Sequence, residues 1–245
     1  MTGDTHCLVA QLALNGLSEE EQHILAPRWG GIEAGATLSD HFRIMWEPES
    51  LENQDKQLVH RCYIDSSDSK NHGCITRALD YSEGTASFAQ DYMDGQLEGV
   101  YTEEEFLENL GMFLGVASHH IADLCTPVHV GHKIDFEALG QPSLSRLHTK
   151  VERDIYRYRN KVTLELKEIE KVEFTRDYFW QIAKATYENA FVSLDNIYLD
   201  STDAKIKLMV ANSISSAVSH TRDTWHAILV GANMMERTWS TAPLE

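Results

Sequence analysis

Two pairs of a histidine and a carboxylate stand four positions apart in this chain of 245 residues. His119 precedes Asp123, and His148 precedes Glu152. Residues at i and i+4 share one face of an α-helix, so each pair can direct two ligand atoms toward one metal ion. Zinc accepts imidazole nitrogen and carboxylate oxygen at about 2.0–2.2 Å. A single pair is more often an exposed polar contact, so spacing alone leaves a metal site and a polar helix surface as alternatives.

Further histidines extend this pattern along the chain. His129 follows the helix stop at Pro127 and can turn back toward Asp123. His6, Asp40 and His60 lie on three earlier segments. His120 is about 100° around the helix from His119, so we expect it to face elsewhere.

Other histidines are weaker candidates. His132 and Asp135 form a rival ligand pair in a predicted loop. His220, Asp223 and His226 are spaced by three on a predicted helix, where the outer two diverge, so we interpret them as residues outside the site.

Taken in order, these residues resemble the pattern of the zinc-dependent phospholipase C and single-strand-specific nuclease superfamily. The match runs from residue 6 to residue 152, and the last 90 or so residues carry no motif. The segment ADLCTPVH resembles the family's Gly-Asp-x-x-x-Pro-x-His signature, with Ala122 in place of the glycine. The matching positions are His6, Asp40, His60, the H-x3-D-x5-H run of His119, Asp123 and His129, and the H-x3-E pair of His148 and Glu152.

The resemblance implies an all-α enzyme with up to three zinc ions, bridged at Asp123. One ion would bind Asp40, His60, His119 and Asp123. A second would bind His6, Asp123 and the amine and carbonyl of Met1, although the family usually begins with Trp. A third would bind His129, His148 and Glu152. Asp40 would be the catalytic residue that orients or deprotonates the attacking water, and the substrate-binding residues are not indicated.

The implied function is zinc-dependent hydrolysis of a phosphoric diester. Thr126-Pro127 and Glu152 favour the phospholipase C branch, whose phospholipid substrate implies a transient contact with a membrane surface. The alternatives are a single-strand-specific nuclease with the same cluster and a non-catalytic, metal-stabilised helical binding module. We expect no stable complex with nucleic acid, and neither the oligomeric state nor the compartment is indicated.

The composition favours one large domain over residues 1–245. Hydrophobic residues make up 42% of the chain, enough for one sizeable core. The net charge of −17 predicts no general attraction to nucleic acid or anionic lipid. No apolar run is long enough to span a membrane, and the first residues lack the basic start of a signal peptide, although family members are commonly secreted.

Helical spacing of apolar residues dominates the chain and predicts an all-α fold. The four cysteines form no C-x-x-C pair and are interpreted as small buried residues, with a Cys62–Cys74 disulfide if the protein is exported. Capping boxes begin helices at Ser18 and Thr102. Other predicted helices cover about 33–46, 50–63, 143 onward, 175–199 and 202–236, with loops at 64–74 and 130–142.

Overall fold

The computed structural model describes residues 3–38, 62–64, 72–131, 145–189 and 202–239, without the side chains of 38 and 145–148. Regular structure in these ranges is almost entirely helical, which confirms the predicted all-α class. The helices are α1 (Gly3–Asn15), α2 (Glu19–Leu25), α3 (Trp29–Leu38), α4 (Gly73–Met93), α5 (Glu103–Leu124), α6 (Ser145–Tyr158), α7 (Arg176–Asn189) and α8 (Asp203–Gly231). A short parallel pairing joins β1 (Cys62–Tyr63) to β2 (Val130–Gly131).

The predicted capping boxes begin two of these helices. The Ser18 side chain accepts a hydrogen bond from the Glu21 backbone, and the Glu21 carboxylate accepts one from the Ser18 backbone. Thr102 and Glu105 make the same reciprocal pair at the start of α5. These bonds satisfy backbone donors that the first helical turn leaves exposed, so both starts could be predicted from local sequence.

Several other predicted boundaries are wrong. The helix predicted over 33–46 begins earlier, at Trp29, and so includes Gly30 and Gly31. A Cβ on Gly31 would lie 2.8 Å from the Glu108 carbonyl oxygen, so the lack of a side chain at this position is needed where α3 meets α5. The predicted 64–74 loop ends early, since α4 begins at Gly73. Tyr63 and its neighbour Cys62, predicted as the end of a helix, form β1 instead. The last helix ends at Gly231, ahead of Asn233, whose positive φ of 54° is incompatible with helix continuation.

Helices α1 and α4 have no counterpart among the predicted elements. α4 contains several serine, threonine and glycine residues, which have modest helix propensity. Two of its hydroxyls bond back to the preceding turn: Ser82 donates to the Ala78 carbonyl, and Thr85 to the Tyr81 carbonyl. Packing against α5, rather than intrinsic propensity, stabilises this helix.

Helices α3 and α5 cross at unusually close range because glycines face each other. A Cβ placed on Gly35 would lie 2.0 Å from the Met112 carbonyl oxygen, and one on Gly115 would lie 2.2 Å from the Ile32 carbonyl oxygen. Both distances are far below van der Waals contact, so neither position accepts a side chain without moving a backbone. The crossing fixes how close the end of α3 comes to the last turns of α5.

Helix α5 lies at the centre of the apolar core, between α3, α4 and α8. Trp225 of α8 is fully buried and its indole nitrogen donates to the Leu114 carbonyl at 3.1 Å. This bond satisfies the only polar atom of a side chain that contributes a large apolar area to the core. None of the helices in the described ranges is both long enough and apolar enough to span a bilayer.

Candidate metal centre

Three of the residues singled out by the sequence meet in the interior of the molecule. His6 comes from α1, and His119 and Asp123 come from successive turns of α5. One ligand atom from each lies within 4.8 Å of the other two. Each side chain is at most 2% exposed. Such burial of ionisable groups is unusual unless they are paired or bind a metal.

The separations fit metal coordination between Asp123 and each of the two histidines. His6 Nε2 lies 3.6 Å from one Asp123 oxygen, and His119 Nε2 lies 3.6 Å from the other. These distances are long for hydrogen bonds. Ligands placed tetrahedrally at about 2.0–2.1 Å from zinc are about 3.4 Å apart, so the observed spacing suits a shared ion. The His6 and His119 rings stack with centroids 3.9 Å apart.

The tautomer of His119 is fixed by the end of α3. Its Nδ1 lies 3.0 Å from the backbone carbonyl of Ala36, which can only accept a hydrogen bond. Nδ1 therefore carries the proton, and the neutral ring keeps a lone pair on Nε2, the atom that faces Asp123. A ligating histidine typically makes this second bond to a carbonyl or carboxylate. The residues present thus fit a metal ion in donor type, burial and tautomer.

His129 joins this group through the turn after α5. The turn is held by backbone bonds from Thr126 to the Asp123 carbonyl and from His129 to the Thr126 carbonyl, both 2.9 Å. His129 Nδ1 lies 3.6 Å from Asp123, and its Nε2 lies 3.5 Å from Glu152 on α6. The β1–β2 pairing fastens the same turn, because Cys62 donates to the His129 carbonyl. His129 therefore connects the buried trio to the face of α6 that carries Glu152.

The remaining predicted ligands lie wholly or partly outside the described residues. Met1, Asp40 and His60 lie outside the described residues. His148 belongs to α6, one turn before Glu152, but its side chain lies outside the description. The rival pair His132 and Asp135 also lies outside it. The three-ion arrangement implied by the family resemblance therefore stays a prediction.

The histidines predicted to lie apart from the site have other partners. The His120 ring stacks on Tyr81, with centroids 5.4 Å apart, away from Asp123. His226 lies 2.6 Å from the Glu21 carboxylate, and Asp223 pairs with Arg222 at 2.7 Å. His220 Nδ1 lies 3.0 Å from the Tyr178 hydroxyl.

His220 borders a cavity of about 310 Å³ between residues 163–170 and α8. Of the metal-ligand candidates whose side chains the structure describes, none lines this cavity. Burial, with a smaller contribution from Lys167, lowers the pKa of His220 to about 4, so the ring is neutral near pH 7. Its Nδ1 shares a hydrogen bond with the Tyr178 hydroxyl, whose own pKa is raised chiefly by burial.

The cysteines are free thiols in the structure. Cys62, Cys74 and Cys125 are buried, as interpreted from the sequence, and Cys7 is partly exposed. Burial, together with a contact with the Cys62 thiol, raises the pKa of Cys74 well above its ordinary value. The predicted Cys62–Cys74 disulfide is not formed here, although the two thiols are neighbours.

Sequence reasoning missed the Ala36 carbonyl and the glycine crossing that brings it to His119. The signal was present in the pattern Gly31-x3-Gly35 and its counterpart Gly111-x3-Gly115. Small residues four apart on two helices indicate close helix packing. That pattern predicts a crossing, but it does not reveal which carbonyl meets which histidine.

Several solved structures share the fold of this chain, among them two clostridial toxins. No protein-family model and no curated protein sequence matches the chain. The crystal structure of Clostridium perfringens alpha-toxin from avian strain SWCP superposes with a TM-score of 0.60 at 16% identity, covering 91% of this chain and 63% of the toxin. The alpha-toxin of Clostridium absonum superposes with a TM-score of 0.53 at 15% identity, covering 96% of this chain and 66% of that toxin. The fold is similar to that of the clostridial alpha-toxins. At these identities the alpha-toxin likeness concerns the fold, and the chain spans slightly less than two thirds of either toxin's length.

Proposed function

We propose that the chain is a zinc-dependent phosphoric-diester hydrolase of the phospholipase C type. The observation that carries the proposal is the buried group of His6, His119 and Asp123. The bond to Ala36 holds His119 in the tautomer whose Nε2 lone pair can bind a metal ion. The alpha-toxin-like fold and the ordered motif around it support the same chemistry. The three-ion cluster with Met1, Asp40, His60, His129, His148 and Glu152 completes the proposal.

Each described residue has a defined task in this proposal. Asp123 offers two oxygens that face different histidines, so it can bridge two ions. His119 is oriented by Ala36, and His129 extends the site toward Glu152. Bound zinc would supply a Lewis acid that activates water and neutralises charge growing on the phosphoryl oxygens. Asp40 would orient that water or take its proton.

Without bound metal, the negative charge of the site attracts cations and repels an anionic phosphodiester. Asp123 and Glu152 are carboxylates, and the whole chain carries a net charge of −17. A phosphodiester would approach such a surface only after cations have reversed the local potential. The proposal therefore predicts that metal binding precedes substrate binding.

Metal analysis combined with two substrates tests the proposal. We expect the wild-type chain to retain zinc and to hydrolyse a phosphocholine diester faster than single-stranded DNA. His119→Ala, Asp123→Ala and His148→Ala should each lower the zinc content and abolish hydrolysis. His23→Ala, which removes an exposed histidine from α2, serves as the matched control.

Each alternative has its own signature in these measurements. Faster cleavage of single-stranded DNA would assign the nuclease branch. Zinc retention without hydrolysis of either substrate would assign a metal-stabilised binding module. Wild-type hydrolysis by all three variants would overturn the proposed site.

A further inference from the structure

Positive charge is concentrated at one end of helix α6 in this acidic protein. Residues 150–161 and 203–207 hold seven of the chain's 21 lysines and arginines but three of its 38 acidic residues. Hydrogen bonding of the Tyr158 hydroxyl to Asp203, at 3.0 Å, joins the two segments. The net charge of the chain therefore conceals a basic region.

The cations of this region converge on two tyrosine rings. Arg157 Cζ, Lys161 Nζ and Lys207 Nζ lie 5.1, 5.8 and 5.7 Å from the centroid of the Tyr158 ring. Arg159 stacks on Tyr156, with Cζ 3.7 Å from that ring's centroid. The negative faces of the rings partly offset the repulsion among the cations.

Helix dipoles explain only part of this arrangement. Arg157 lies in the last turn of α6, where positive charge is favoured. Lys207 lies near the start of α8, where the dipole disfavours it. Among the described residues, no ion pair joins Arg157, Arg159, Lys161 or Lys207 to a carboxylate. An external anion would therefore be attracted to this cluster.

Two side chains with apolar surface, next in sequence to Arg157 and Lys207, are exposed as well. Tyr156 is 39% exposed and Leu208 is 63% exposed. We call the surface formed by Tyr156, Arg157, Arg159, Lys161, Lys207 and Leu208 the basic face. Cations mixed with exposed aromatic and aliphatic side chains are typical of surfaces that contact the headgroup region of a bilayer.

The basic face is continuous with the candidate metal centre. Tyr156 is four residues after Glu152 on α6, so the two side chains share a helix face about 6 Å apart along the axis. Glu152 in turn lies 3.5 Å from His129. A lipid surface docked on the basic face would therefore lie beside the site.

We propose that the basic face docks the protein on anionic lipid surfaces and presents their headgroups to the candidate metal centre. The second half of this inference rests on the proposed function, whereas the docking itself does not. The exposed Leu208 favours a bilayer over a polynucleotide, because an aliphatic side chain offers no stacking surface for bases, whereas it can insert between lipid headgroups. Docking through this local charge would run against the expectation, drawn from the net charge, of no general attraction to anionic lipid.

Vesicle flotation tests the docking. We expect the wild-type protein to float with phosphatidylcholine vesicles that contain one third phosphatidylglycerol, and not with phosphatidylcholine vesicles alone. High salt should release it, because exposed charges are screened. Arg157→Gln/Lys161→Gln should weaken binding roughly thirtyfold, since each basic residue near an anionic bilayer contributes about fivefold in affinity.

A matched control removes two cations elsewhere. Lys171→Gln/Lys184→Gln changes the net charge by the same amount, and both lysines lie in exposed ion pairs with glutamates. This variant should bind vesicles as wild type does, and thermal melts should show that both variants fold. A second pair, Tyr156→Ser/Leu208→Ser, should weaken binding while leaving its salt dependence unchanged.

The outcomes separate docking from catalysis. Equal binding of both vesicle types, or equal weakening by the two charge variants, would overturn the inference. Binding of a single-stranded oligonucleotide through the basic face, without vesicle binding, would overturn it as well. Release of diacylglycerol, measured in the same samples, tests the proposed function separately. Vesicle binding without release of diacylglycerol would support the docking and would count against the hydrolase activity.

Discussion

The Nδ1 atom of His119 lies 3.0 Å from the backbone carbonyl oxygen of Ala36. This bond connects the end of α3 to the face of α5 that carries His119 and Asp123. It decides which nitrogen of the ring is protonated and which can bind a metal. The ligand chemistry of α5 thus depends on how closely α3 approaches it.

His119→Asn separates these two roles of the ring. The asparagine amide can still donate to Ala36 from a position near Nδ1, but it has no atom where Nε2 faces Asp123. We expect the melting temperature to change by only a few degrees and zinc affinity to fall at least a hundredfold, because loss of an outer-sphere partner alone costs about 10–100-fold. Competition with a fluorescent zinc chelator measures the affinity. A variant that binds zinc as tightly as the His23→Asn control would remove His119 from the site.

Gly115→Ala tests the crossing of α3 and α5. The added Cβ would lie 2.2 Å from the Ile32 carbonyl oxygen and 2.8 Å from the Ala36 backbone nitrogen, so the helices must separate. We expect a loss of about 1–3 kcal/mol in the free energy of unfolding, measured by urea denaturation, together with weaker zinc binding.

Gly30→Ala is the matched control for the crossing. Nothing lies within 4 Å of a Cβ at this helical position, so the substitution should stabilise the protein by about 0.4–1 kcal/mol. Equal unfolding free energies for the two variants would show that the close approach is not required.

Glu152→Gln should remove one zinc ion from the proposed cluster and leave the other ions bound. Glu152 contacts His129, while His6 and His119 face Asp123. Because an amide is a poorer zinc ligand than a carboxylate, we predict the loss of one zinc ion per chain with the others retained. Elemental analysis after gel filtration measures this stoichiometry, with Glu168→Gln as an exposed control. Loss of all zinc, or of none, would contradict the division of ligands among the ions.

His220 should make stability depend on pH below neutrality. Its folded-state pKa is lowered from 6.5 to about 4, chiefly by burial, so between these values the unfolded chain binds a proton that the folded chain does not. Stability contributed by neutral His220 is therefore present above pH 6.5 and is lost as pH falls toward 4.

Comparing melting temperatures across this window tests His220 directly. His220→Asn keeps an acceptor for the Tyr178 hydroxyl and cannot be protonated, so its melting temperature should fall less steeply than that of wild type. His23→Asn should retain the wild-type slope. Parallel curves for wild type and His220→Asn would show that His220 does not contribute to the acid sensitivity.

Local chemistry explains which parts of this molecule could be predicted from sequence. The Ser18 and Thr102 capping boxes involve residues three positions apart, and both helices begin where predicted. The i, i+4 spacing of His119 and Asp123 likewise places both on one face of α5. In each case the decisive contact lies within one or two helical turns.

Features that depend on distant segments could not be predicted in the same way. His119 and Ala36 are separated by 83 positions, and only the folded crossing brings them together. In the basic face, Arg157 of α6 and Lys207 of α8 meet over the Tyr158 ring, and the net charge of −17 gives no sign of this local cluster. α4 forms because of tertiary packing against α5, although its residues have modest helix propensity.

Zinc stoichiometry measured together with diester hydrolysis, in wild type and Asp123→Asn, tests the central claim most directly. Asp123 lies within 3.6 Å of His6, His119 and His129, so removing its charge should disrupt the whole cluster. We predict that wild type retains up to three zinc ions per chain and hydrolyses a phosphocholine diester, and that Asp123→Asn loses both properties while remaining folded. A wild-type chain that holds no zinc after loading and desalting, or an Asp123→Asn chain that matches it in zinc and rate, would contradict the proposed function.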